Sequence, residues 1–192
     1  MKNGIEKGVE LILESLKHEL GLDLSDENFN QTPQRIVRTF KEIFSGISNT
    51  EQQVKAILET SFPCGYSEMV VMRDIEVFSM CPHHLLPVHY FISVAYIPSP
   101  DGRVLGVSKL VRLVEVLARR PVMQEKLVSD IADALMSIPM CVGSGCIATG
   151  NHYCMKMRGV RQNSADVVTS VLRGSIFDDP KARAEFMLLC RR

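Results

Sequence analysis

Ile5, Val9, Ile12, Leu13, Leu16 and Leu20 recur at helical spacing, and Gly21 follows them as a stop signal. The pattern predicts an amphipathic helix over residues 4–20. A polar stretch, DLSDENFNQ, separates it from a second stripe, Ile36, Val37, Phe40, Ile43 and Phe44, within TPQRIVRTFKEIFSG. Thr32 suits the cap, Pro33 the first helical position and Gly46 the position after the end. Arg35 and Arg38 fall on the opposite face, where pattern alone gives a solvated basic surface.

After about residue 60 the period changes. SEMVVMRDIEVFSM and VHYFISVAYIP are rich in β-branched and aromatic residues and read as strands. SPDG, between Pro98 and Val104, is a turn signal and predicts a hairpin there. SKLVRLVEVLARR is a helix with Leu110, Leu113, Val114 and Leu117 inward and Lys109, Arg112 and Arg119 on its polar side. Pro121 then opens a further helix running to about Met136. Strands are expected around 141–157 and 165–177, and PKARAEFMLLC reads as a terminal helix. The order is a helical segment over 1–60, then β-β-α-α-β-β over 61–192. This is an α+β layout with an antiparallel sheet.

Composition narrows the partners. Lys plus Arg balance Asp plus Glu at 22 each in 192 residues, so net charge gives no argument for nucleic acid or an anionic membrane. The N-terminus mixes charge into its apolar pattern, which fits neither a signal peptide nor a membrane span. A cytoplasmic setting is therefore expected. There the six cysteines should be thiols or metal ligands rather than disulfides.

The candidate chemistry lies in two clusters. In FSMCPHHLLPVHYF, Cys81 and His84 form a C-x-x-H pair, a spacing that reaches one zinc ion from a single turn. In NHYCMKMRG, His152 and Cys154 are two apart, and in a strand would share a side. Three ligands, Cys81, His84 and Cys154, would leave a fourth tetrahedral position open for water, as in catalytic zinc sites. His83 and His152 would then be spare imidazoles suited to proton transfer. A structural site completed by Cys141 or Cys146 is the alternative. Cys64 and Cys190 read as ordinary thiols, and His18 and His89 as ordinary side chains.

Ser108, Lys109 and Arg112 open a helix and would suit phosphate oxygens, with Arg158 a further guanidinium near the second cluster. Glu125, after Gln124, could accept two hydrogen bonds from a guanine edge. The plainer reading is a first-turn acid favoured by the helix dipole.

Together, TPQRIVRTFKEIFSG, MCPHHLLP, VAYIP, GVSKLVR, QEKL and HYCMKMRGV resemble the GTP cyclohydrolase I family, in the family's order over roughly residues 31–175. The resemblance implies a tunnelling fold, and a decamer of two stacked pentameric rings with active sites between subunits. It implies Zn²⁺ on Cys81, His84 and Cys154, and acid–base roles for His83 and His152. Gln124 and Glu125 match guanine recognition. Ser108, Lys109, Arg112 and Arg158 match a triphosphate site, and Arg35 and Arg38 match basic residues from a neighbouring subunit. The implied reaction converts GTP and water to 7,8-dihydroneopterin triphosphate and formate, with no nucleic acid or membrane partner. Pro82 stands where the family usually has Glu, the glycine that usually follows LLPF is missing from LLPVHYF, and the polar cluster after RGV is shifted by one. No implied ligand is lost. Competing readings are a relative acting on another guanine nucleotide or in a deazaguanine pathway, and an inactive nucleotide-binding homologue.

Overall fold

A computed structural model describes residues 3–100 and 103–191. The chain forms two compact units, residues 1–45 and 46–192. In the first, α1 (Gly4–Leu20) has the predicted span and the predicted glycine stop, and a side chain caps its start. Asn3 accepts from the Glu6 N–H at 2.9 Å, and left-handed Gly21 donates back to Leu16 and Lys17. In α2 (Thr32–Ile43), Thr32 is the first helical residue rather than the cap. The cap position belongs to Gln31, which has φ 63° and makes no side-chain capping bond.

Gly46 is not the helix stop either, since α2 ends at Ile43 with Phe44 as its cap. Its need is steric and lies in the second unit. A Cβ there would sit 2.2 Å from the Val116 carbonyl oxygen and 2.8 Å from that of Arg119. The Gly46 N–H donates to the same Arg119 oxygen at 2.9 Å. Helix backbone cannot retreat as a flexible side chain would. Gly46→Ala is therefore expected to destabilise the protein by about 1–3 kcal/mol, measured as a lower urea midpoint at unchanged slope.

The second unit contains α3 (Thr50–Leu58), β1 (Ser61–Pro63), β2 (Val70–Met80), β3 (Pro87–Pro98), β4 (Arg103–Leu105), α4 (Val107–Ala118), α5 (Gln124–Met136), β5 (Cys141–His152), α6 (Tyr153–Lys156), β6 (Val167–Gly174), α7 (Ser175–Asp178) and α8 (Pro180–Leu189). The main sheet is fully antiparallel in the order β2-β3-β5-β6, with α4 and α5 between β3 and β5. This is the β-β-α-α-β-β tunnelling-fold arrangement. Alternate β3 residues Val88, Tyr90, Ile92, Val94 and Tyr96 are buried in the core with Leu113 and Leu117 of α4 and Leu127 and Ile131 of α5. Ala95 points the other way and joins Met69, Ile176 and Phe186, so α7 and α8 cover part of the second face. The α3 helix packs on α4.

Three local expectations change. The strand after SPDG does not fold back on β3: β4 pairs with β1, Phe62 opposite Val104. Its Leu105 N–H donates to the Tyr96 hydroxyl at 2.8 Å, which ties the small sheet to the large one. Asp101 and Gly102 of that turn lie outside the described residues. Pro121 does not open α5. Instead it bridges to Met80 in parallel, and Val122 donates to the Met80 oxygen, so the chain runs on beside β2 until Gln124. Finally, β5 stops at His152, and Cys154 sits in the short helical turn α6.

Candidate metal centre and cleft

One end of the sheet gathers four chain segments. β2 ends at Met80, β3 begins at Pro87, β5 ends at His152 and β6 begins at Val167. The connection from β2 to β3 is a tight reversal in which the Cys81 N–H donates to the Leu86 oxygen and Leu85 N–H to the Cys81 oxygen. Leu85 takes a left-handed φ of 51°, an unusual conformation for a residue with a Cβ. The reversal presents Cys81, His83 and His84 from one turn.

Cys81, His84 and Cys154 each offer a donor atom, all within 4.8 Å of one another. Cys81 Sγ lies 3.8 Å from His84 Nδ1 and 3.7 Å from His83 Nδ1. Bond lengths of about 2.3 Å to sulfur and 2.0 Å to nitrogen place such donors about 3.6 Å apart around a tetrahedral ion. The set thus fits a thiophilic divalent cation. Burial raises the Cys154 pKa, and the neighbouring Cys81 sulfur raises it further, against a smaller opposing effect of Arg158. Two adjacent thiolates are disfavoured without a cation to balance them, and a metal ion relieves that repulsion. His152 and Cys154 do not reach this end as strand neighbours. The helical turn after β5 swings the thiol over to Cys81. Cys141, which opens β5 at its other end, and fully buried Cys146, opposite Val94, take no part in the group.

A cleft of about 180 Å³ opens beside these donors, lined by Cys81, Pro82, His83, Gln124, Glu125 and His152, among others. Glu125 is exposed in the first turn of α5. His152 is half-buried; burial lowers its pKa, opposed by the Glu125 carboxylate. Its Nε2 lies 2.8 Å from Gln124 Oε1. Arg158 also reaches this end, its Nη1 2.8 Å from His84 Nε2.

Ser108, Lys109 and Arg112 occupy the first turns of α4, which starts beside β4 and ends where Arg120 accepts from Ser79 near the cleft. Twelve helical residues span about 18 Å, so within one chain this group lies at the opposite end of the helix from the metal donors. Arg35 and Arg38 are exposed on α2 in the first unit. His89 is an ordinary sheet residue, stacked on Phe78 at 4.5 Å and bonded to Glu76. His18 is exposed on α1, near Glu14.

Sequence reasoning missed Tyr90. It is fully buried, with its ring edge against His152 at a centroid distance of 6.0 Å. Its signal was the inward alternation of β3, combined with the Val88–His152 register that no local pattern reveals.

Fold and cleft define an antiparallel tunnelling-fold protein whose sheet end carries a group able to hold a metal ion. The sequence profile of GTP cyclohydrolase I matches residues 5–191. A protein named GTP cyclohydrolase 1 from Dehalococcoides mccartyi (strain ATCC BAA-2100) is 40% identical over 184 residues, 96% of each chain. Proteins of the same name from Streptomyces griseus and Thermobifida fusca are each 44% identical. They span 96% and 95% of this chain and 90% and 85% of their own. The chain belongs to the GTP cyclohydrolase I family. No described helix is long and apolar enough to cross a membrane.

Proposed function

We infer that this protein is a GTP cyclohydrolase, converting GTP and water to 7,8-dihydroneopterin triphosphate and formate. The observation that carries the reading is the meeting of Cys81, His84 and Cys154 at the mouth of a cleft that also holds His83 and His152, in a chain of this family. Cys81, His84 and Cys154 would hold Zn²⁺, which when bound supplies Lewis acidity and activates water near neutral pH. The protein's own groups do the rest. The Glu125 carboxylate accepts from the N1–H and exocyclic amine of guanine and fixes the base. His152, whose pKa burial lowers against the opposing Glu125 carboxylate, and His83 move protons to and from the purine nitrogens and the opening ribose. Arg158 stands at the metal end, where a guanidinium can draw a phosphate across the cleft.

Ser108, Lys109 and Arg112 are assigned to the triphosphate, with Arg35 and Arg38 adding charge. The placement of Ser108, Lys109 and Arg112 toward the far end of α4 from the metal donors supports a homo-oligomer in which a neighbouring subunit supplies that group. The size proposed is a decamer of two pentameric rings. Residues 61–192 are proposed as the catalytic part of the chain, after the helical segment over 1–60, and the setting proposed is the cytoplasm.

The direct test is incubation of the protein with GTP, following formate and the fluorescent pterin formed on oxidation. Both are expected to appear, to vanish on chelation and to return with Zn²⁺. A zinc-loaded protein that binds GTP without releasing formate would overturn the reading.

A further inference from the structure

Gln124 is 2% exposed, yet it is the first residue of a helix at the lip of the cleft. All its polar atoms are committed inside the protein. Nε2 donates to the Val167 oxygen at 2.8 Å, the Ala148 oxygen at 3.1 Å and Thr169 Oγ1 at 3.1 Å. An amide carbonyl turned toward those two backbone oxygens would meet only acceptors, so the amide has one stable orientation. That orientation leaves Oε1 facing His152, 2.8 Å from Nε2. A carbonyl oxygen can only accept, so the proton sits on Nε2 of the neutral imidazole. Nδ1 is the nitrogen left for a ligand in the cleft.

The packing around this bond is equally specific. Tyr90 sets its ring at 87° to His152. Gly150, opposite Tyr90 across the β3–β5 pair, makes room for both partners. A Cβ on Gly150 would stand 2.3 Å from Gln124 Oε1 and 2.6 Å from Tyr90 Cε1.

We propose that Gln124 is a positioning residue for His152, anchored to β5 and β6 through its amide and fixing by its carbonyl which imidazole nitrogen serves the substrate. Tyr90 and Gly150 complete the brace. The family resemblance had matched this side chain to guanine recognition. With its carbonyl turned to His152 and its amide on the sheet, Gln124 has no free donor for the base, and we assign the base to Glu125. The inference rests on the GTP cyclohydrolase reading for its functional meaning, but its structural half stands apart from turnover.

Two measurements test it. Magic-angle-spinning NMR of the zinc-loaded protein labelled with [¹⁵N]histidine, assigned by difference from His152→Ala, reads the tautomer of His152. The expected result is a protonated Nε2 and a bare Nδ1; the opposite tautomer would overturn the proposal. In kinetics, Gln124→Met is expected to lower kcat roughly 10–100-fold, as loss of an outer partner of an active-site imidazole does, with KM for GTP within about twofold. Gly150→Ala should show the same split, because it displaces the brace without removing a polar group. A rise in KM at unchanged kcat in Gln124→Met would mean that the amide reads the base, and would refute positioning. If the wild type turns over no GTP while the Nε2–H tautomer is found, the functional reading fails and the brace survives.

Discussion

Cys154→Ala will leave the protein folded and without its metal ion. The thiol is half-buried in the helical turn after β5 and packs only at the edge of the core, so truncating it to Ala costs limited packing. It is one of three donors, and its loss leaves Cys81 and His84 as a two-point site. The drop in metal affinity should exceed the roughly 10–100-fold typical of an outer partner. Metal content after dialysis, measured by inductively coupled plasma mass spectrometry, should fall to background, and formate release with it. A variant that kept one ion per chain would show that the donor set is wrongly assigned.

His152→Ala should give the complementary result. The imidazole is not among the three donors; it bonds Gln124 and packs on the Tyr90 ring. The variant is expected to retain zinc and bind GTP, while kcat falls about 10²–10⁴-fold, the usual worth of a positioned proton-transfer group. Equilibrium dialysis with GTP and single-turnover formate release separate the two effects. Loss of the metal from this variant would place His152 among the ligands and undo the assignment of Cys154.

These tests single out residues that the sequence exposed unequally. Helical periodicity gave α1 its ends, because Asn3 and Gly21 act locally and nothing distant competes. It misplaced the start of α5, because the Pro121 segment is held by a bridge to Met80, 41 residues back. The hairpin expected at SPDG failed for the same reason: β4 finds its partner in β1, which no turn signal can announce. At the site, the residue types of the metal donors were legible, since few folds place Cys and His together without a use. Their meeting was not derivable by the strand argument, which put Cys154 on a strand that ends two residues earlier. Gln124 was legible as polar and near a helix start. Its burial depends on β5 and β6 arriving beneath it, a fact of sheet order rather than of local pattern.

The donors for the ion come from the loop after β2 and the turn after β5, with three strands and two helices intervening in the chain. They cannot meet until β3 and β5 have zipped together along their length. A zinc finger closes on its ion while still a short peptide; here the ion arrives at a nearly finished structure. Chelation should therefore silence the molecule while leaving its architecture standing, and reloading should restore it without a refolding step.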